Sequence, residues 1–301
     1  MTHHPTDSSF AGFRDFLATL EGFNKYVFGD GRFSLCDPDT EWKYSHVMRT
    51  TRVASDLLRA VLPHLRGTRT EEVLIGAALL HDIGRFCPEG IEMERGGDIS
   101  YEHGTLGAKI LEAEFFPSYS RYNFLEEQEI IFAVSVHDKQ DVSPFLADFP
   151  AGLDTTKLWT LSELIRDADR TDNFRTFFSP YWWNRIRSGT PTPFDVAYNS
   201  VSDDLWGRFR VFKDCPENSR KTSGRRAFTG ALSECFDAGK AKTLGDALVS
   251  SLASPLASVF AVSADACRND PNFGNIIRQI NKEDSRTTEI LGTVLELYSM
   301  Q

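Results

Sequence analysis

Several things are scarce in this 301-residue sequence, and each scarcity closes off a class of function. Cysteine occurs five times, at Cys36, Cys87, Cys215, Cys235 and Cys267, with no C-x-x-C pair. An odd, scattered set of this kind excludes a zinc knuckle and a disulfide framework and leads us to expect reduced thiols. No apolar run reaches the roughly 18 residues that a membrane-crossing helix needs, and the opening "MTHHPTDSSFAGF" has no stretch resembling a signal peptide. A cytoplasmic protein with no membrane partner is therefore expected. Positive charge is short as well: 33 Lys and Arg face 43 Asp and Glu, for a net charge of -10 and a pI near 5.2. General nucleic-acid binding, which needs a basic face, is not expected. Also missing are a G-x-G-x-x-G after a strand, a G-x-S-x-G elbow and a G-x-x-x-x-G-K-[ST] loop, so dinucleotide binding, a serine nucleophile and a P-loop lack support.

What the sequence has in quantity is apolar side chains at helical spacing. Hydrophobic residues make up 41% and aromatics 12%, with 23 Phe, enough for a sizeable core in one large domain or a domain with an appended subdomain. Alternating strand patterns are hard to find, and no repeat or low-complexity tract occurs, so an all-α fold is predicted as one helical body. From Ser45 to Leu65, the residues His46, Thr50, Ala54, Leu57, Val61 and Leu65 recur at helical intervals. Thr70, followed by Glu71 and Glu72, reads as a helix cap, opening a helix that runs to Asp82 and stops at Gly84. "CPEGIEMERGGDISY" reads as an exposed loop. Helices resume with "HGTLGAKILEAEFF", "NFLEEQEIIFAVSVH" and "TKLWTLSELIRDADRTDNF", and continue past Pro180.

Histidine is another scarce residue, and its placement is informative. Seven occur, two of them at His3 and His4 in the N-terminal segment. His46, His81, His103 and His137 each fall near the apolar stripe of a predicted helix, and Asp169 falls in register with Leu158, Leu161, Ile165 and Ala168. Any one of these alone reads as a hydrogen-bonded core residue. Five polar groups on five successive helices, all aimed inward, would cost on the order of a few kcal/mol apiece if left unpaired. One shared cation would offset that cost for all of them. Imidazoles with carboxylates suit Fe, Mn, Co, Ni or Zn better than Mg or Ca. His64 has no place in the pattern and reads as a surface residue.

The order His46, His81-Asp82, His103, His137, Asp169, flanked by "LLHDIGRF" and "RDADRTDN", resembles the HD superfamily of metal-dependent phosphohydrolases over roughly Tyr44 to Asn173. Within it, the chain is similar to the bacterial group whose core motif reads HDIG followed by Arg or Lys. The resemblance implies an HD-type helical bundle with additional C-terminal helices. With the helix-like segments past Pro180, we expect a metal-binding core over residues 1–180 and a helical extension over 181–301, packed on the core and covering the site. By the same resemblance His46, His81, Asp82 and Asp169 match the ligands of a first divalent transition metal, His103 and His137 supply the extra pair for a second, and Asp82 bridges the two. Asp169 is preferred to Asp167 as the ligand; Asp167 and Asp172 are taken as capping or supporting groups.

Such a site activates water against a phosphate ester, and phosphoryl transfer calls for cationic side chains on the non-bridging oxygens. Arg85 and Lys139 are the first candidates, Arg49 and Arg170 the next, and a small phosphorylated molecule such as a nucleotide is the expected substrate. His137 is followed by Asp138, so the tandem His of the cyclic dinucleotide phosphodiesterase branch is absent, and its GYP signature is missing too. Two alternatives stand beside hydrolysis on the same ligands: a diiron oxygenase resembling myo-inositol oxygenase, and a ligand-sensing module without catalysis. The clusters "YWWNR" (Tyr181–Arg185), "RKTSGRR" (Arg220–Arg226) and "GGD" (Gly96–Asp98) read most simply as core aromatics, a solvated loop and a turn or flexible lid.

Overall fold

Short polar side chains and prolines set where the helices begin in the computed structural model, which describes residues 13–95, 102–139, 142–148, 153–176, 200–214, 241–258, 260–280 and 283–299. The fold is all-α, with no strand among the described residues. After α1 (Arg14–Phe28), helix α2 (Pro38–Val61) starts earlier than the spacing from Ser45 suggests. Asp37 accepts from the Thr40 amide at 3.1 Å, and Pro38 opens the first turn with its fixed φ.

Helix α3 (Arg69–Leu80) is capped by Thr68 and not by Thr70; the Thr68 hydroxyl accepts from the Glu71 amide at 3.4 Å. Every residue from Glu71 to Leu80 is buried, so α3 is a central helix without a polar face. Helices α1, α2 and α7 (Phe124–Val136) pack around it. Its first turn is pinned by ions. Glu72 accepts from the amides of Asp15 and Phe16 at 2.8 and 3.1 Å, Arg69 reaches both Glu72 and Glu126 at 2.7 Å, and Arg59 holds the fully buried Glu71 at 2.7 Å.

The far end of α3 departs from the predicted helix to Gly84. Regular helix ends at Leu80 with His81 as its cap, and after Asp82 the chain winds as a 3-10 turn, Ile83–Phe86. Gly84 lies inside that turn because another backbone presses on it. A Cβ there would strike the His103 carbonyl oxygen and lie 2.9 Å from the Gly107 amide. The segment expected to be an exposed loop forms α4 (Pro88–Arg95) in its first part, with Cys87 Sγ accepting from the Gly90 amide at 3.3 Å. Residues 96–101, which include Gly96 to Asp98, lie outside the described residues.

Helix α5 (His103–Ile110) is wedged between the 3-10 turn and α7, where a Cβ on Gly104 would come within 2.7 Å of the Val134 carbonyl. It widens into a π turn (Leu111–Phe115) and resumes as α6 (Phe116–Tyr119). Pro117, the second residue of α6, has no N–H to return to Ala113, so the regular i→i−4 ladder is interrupted there. Helix α7 opens on an Asn123–Glu126 capping box, and α8 (Thr155–Thr176) follows.

The chain divides into two compact units, residues 1–168 and 169–301, with the division inside α8. In the second unit, α9 (Asp203–Asp214), α10 (Leu244–Ala253), α11 (Ala261–Arg268), α12 (Pro271–Gln279) and α13 (Ser285–Ser299) share a core that includes Phe174, Phe209, Leu248, Ile276 and Val294. The expected boundary at 180 and the clusters at 181–185 and 220–226 lie outside the described residues. No helix among those described is long and apolar enough to cross a membrane. Cys36, Cys87 and Cys267 are free thiols.

Gly84→Ala is expected to destabilise the protein by about 1–3 kcal/mol, because backbone cannot move aside as a side chain can. A thermal melt would measure the loss; an unchanged midpoint would contradict the close approach of α5.

Candidate metal centre

Helix ends aim most of the side chains singled out in the sequence. His81 caps α3 and His137 caps α7, and both rings are held in the same way. Nδ1 of His81 lies 2.7 Å from the Ala78 carbonyl, and Nδ1 of His137 lies 2.7 Å from the Val134 carbonyl. A carbonyl can only accept, so both Nδ1 atoms carry the proton and both Nε2 atoms present a lone pair when the ring is neutral. The last carbonyls of a helix lack intrahelical partners, so each ring satisfies one and is oriented by doing so. His46 lies within α2, its ring stacked at 4° on Trp42 one turn earlier, with centroids 5.5 Å apart. His103 is the first residue of α5.

These four imidazoles converge on Asp82. Nε2 of His46 and of His81 each lie 3.6 Å from Asp82 Oδ2; Nε2 of His103 and of His137 lie 3.3 and 3.5 Å from Oδ1. The carboxylate thus divides the imidazoles in pairs between its two oxygens. Asp169, one residue past the end of the first unit on α8, offers a carboxylate oxygen within 4.8 Å of ring nitrogens of His46 and His81; His81, Asp82 and His137 form a second group of the same kind.

The donor set fits a cation. Donors held about 2.0–2.2 Å from one ion sit roughly 3.0–3.5 Å from each other, and Asp82 Oδ1, His103 Nε2 and His137 Nε2 make a triangle with edges of 3.0, 3.3 and 3.5 Å. The protons conflict without one. His103 Nε2 lies 3.0 Å from the His137 lone pair and 3.2 Å from Arg85 Nη2, which only donates. Whether or not that nitrogen carries hydrogen, one of the two contacts is mismatched.

Electrostatics favour an ionised carboxylate and a neutral ring. Burial opposes charge on Asp82, but the Arg85 guanidinium and the surrounding histidines outweigh it and hold the carboxyl well below its ordinary range. His103 is pushed down, by burial first and then by the charge of Arg85.

The other sequence candidates take varied positions. Arg85 lies on the cluster itself, with Nε 2.9 Å from Asp82 Oδ1. Lys139 ion-pairs with Glu102 at 3.0 Å and Asp138 at 3.4 Å. Asp167 and Asp172 are buried on α8. Arg49 on α2 and Arg170 on α8 are half-buried, and His64 is exposed.

Two residues escaped the sequence reading. Trp42 could have been found from its i, i+4 relation to His46. Asp138 was read only as the absence of a second histidine, yet its Oδ2 accepts from the Gly104 amide at 3.0 Å and lies 3.8 Å from His103 Nδ1. Glu102 at the N-cap of α5 makes no side-chain cap bond, so a carboxylate from the end of α7 does the capping. Burial resists ionisation of Asp138, and the neighbouring His137, His103 and Lys139 with the Gly104 amide bring its carboxyl below the usual range.

Residues 44–173 match the family model of the HD domain. No curated protein and no solved structure gives a significant match.

Asp138→Ala is expected to cost about 0.5–2 kcal/mol, the range for a lost helix cap. Denaturant unfolding would read this directly. An effect confined to experimental error would remove Asp138 as the anchor of the His103 helix.

Proposed function

Residues 44–173 match the HD domain, the mark of a superfamily of mostly metal-dependent phosphohydrolases, and from that match we propose that the protein hydrolyses a phosphate ester of a nucleotide or another small phosphorylated metabolite. The observation that carries this reading is one buried carboxylate, Asp82, with four imidazole nitrogens 3.3–3.6 Å from its two oxygens. His46, His81, Asp82 and Asp169 would hold one divalent transition metal, and Asp82, His103 and His137 a second, chosen among Fe, Mn, Co, Ni and Zn by the imidazole-rich donor set. When bound, such ions supply Lewis acidity that activates water and takes up charge on phosphate oxygens.

The remaining tasks fall to the chain. Asp82 keeps both imidazole pairs at one place, and the carbonyls of Ala78 and Val134 keep His81 and His137 in the tautomer that binds cations. Arg85 presents a planar, permanently charged fork to phosphoryl oxygens. Lys139 adds a second charge; its ion pair with Glu102, a residue 65% exposed, is readily exchanged for a phosphate oxygen. Arg49 and Arg170 extend the cationic side toward the rest of the substrate. Buried Asp167 and Asp172 steady α8 around Asp169, and Asp172 orients a ligand or a proton.

The test is metal analysis of the purified protein, joined to a panel of phosphomonoesters, diesters and nucleotides assayed with Mn, Co, Ni and Fe. Asp82→Asn is expected to lose bound metal while the helical circular dichroism stays unchanged. Its turnover should fall by more than the about 10–100-fold that follows loss of a supporting hydrogen bond. Retained iron with oxygen uptake on a polyol or phosphonate, and no phosphatase activity, would replace hydrolysis with the oxygenase reading. Failure to retain any metal would favour a sensor.

A further inference from the structure

Arg85 is not merely near the cluster. Its guanidinium spans one edge of the triangle formed by Asp82 Oδ1, His103 Nε2 and His137 Nε2, with Nε 2.9 Å from the first and Nη2 3.2 Å from the second. The edge it covers, 3.3 Å long, belongs to the donor set that a second ion would need. On the other side of the carboxylate, His46 and His81 meet Oδ2, 3.6 Å from each ring.

A carboxylate oxygen has two lone pairs and can serve two partners, but a neutral imidazole nitrogen has one. If His103 Nε2 accepts from Arg85, its only lone pair is in use, and the ring proton sits on Nδ1, facing Asp138 Oδ2 at 3.8 Å. A lysine or histidine in that position could yield to an incoming cation by losing its proton, whereas a guanidinium cannot. It must leave. Arg85 is 30% exposed and its side chain is long, so there is a solvent side to leave by.

Resting on the metal-site reading above, we infer that Arg85 is the resident cation of the second half of the centre, and that a second ion binds tightly only when a phosphate group draws the guanidinium off His103. The two ions are then unequal. The first enters at His46, His81 and Asp82 Oδ2 without disturbing Arg85, and the second competes with a positive charge already seated on its donors. Phosphate offers that fork a bidentate partner and supplies negative charge beside the ion. Because linkage is reciprocal, phosphate tightens the second ion and the second ion tightens phosphate by the same factor.

Equilibrium dialysis against Mn(II), with protein-bound metal counted by mass spectrometry, tests this with and without inorganic phosphate. The wild-type chain is expected to hold one ion tightly, with a second that is tightened about tenfold or more by phosphate, within the usual range for coupled sites. Arg85→Met should bind the second ion more tightly than wild type without phosphate and show a clearly smaller phosphate dependence, the part that remains being the direct attraction of phosphate to the ion. Arg85→Lys, which keeps the charge but cannot span both atoms, should fall between them. Two equivalent ions in the wild type without phosphate, or a second-ion affinity unchanged in Arg85→Met, would overturn the inference while leaving the metal site intact. A wild-type chain that takes up no ion, with Arg85→Met equally empty, would overturn the metal reading itself.

Discussion

A carboxylate buried among imidazoles is the constraint on which this structure turns. Asp82 is almost wholly buried, and burial alone would drive its proton back on. It stays ionised because a guanidinium and four rings stand around it, and the rings can stand there only if their nitrogens have something to share other than each other. The two protons fixed by the Ala78 and Val134 carbonyls leave two lone pairs directed inward. Lone pairs gathered to that density around one anion are repulsive unless a positive centre lies among them. Arg85 meets part of this need from within the chain; the donor set suits divalent ions for the rest.

The fold supplies the gathering by bringing helix ends to one place. His-Asp occurs twice, at the ends of α3 and α7, and serves differently each time. In both, the His ring satisfies a terminal carbonyl and turns Nε2 inward. After His81 the aspartate turns inward too and becomes the shared carboxylate; after His137 it turns to the first turn of α5 and anchors His103 there. Gly84 and Gly104 permit this, since α5 approaches the 3-10 turn and α7 at backbone distance on both sides. The glycine of "HDIG" thus acts at a distance of one helix from the histidine that precedes it.

Spacing and residue type made much of this legible. The all-α class follows from the helical period, and the six polar positions His46, His81, Asp82, His103, His137 and Asp169 were drawn from scarcity and register, and from family resemblance, before any geometry. The structure brings the four histidines onto the carboxylate of Asp82 and Asp169 within reach of His46 and His81. What the sequence could not convey depends on pairing between distant segments. The early cap at Thr68 is one case, because "RGTRT" offers two threonines and only the path of the chain chooses between them. Helix α4 is another: Pro88 and the Cys87 thiol start it, although Gly90 and its charges suggest a loop. Asp138 carries no local sign of its role, since the amide it caps lies 34 residues earlier.

The position of Arg85 also bears on why an acidic protein would place an arginine at a buried anion. Asp82 and Asp169 together would carry two negative charges, which one divalent ion would neutralise; Arg85 would then leave the centre with one positive charge in excess. Adding a second divalent ion with no new carboxylate would raise that excess to three in a poorly solvated place, an arrangement that a low dielectric strongly disfavours. A phosphate dianion arriving with the second ion cancels its charge. On the proposed two-ion reading, the shortage of carboxylates among the donors, four imidazoles to two aspartates, would make the full centre dependent on an anionic guest. A site built with four carboxylates would hold both ions in the absence of substrate, and it would have no use for an arginine whose planar fork fits either a carboxylate–imidazole edge or a phosphate.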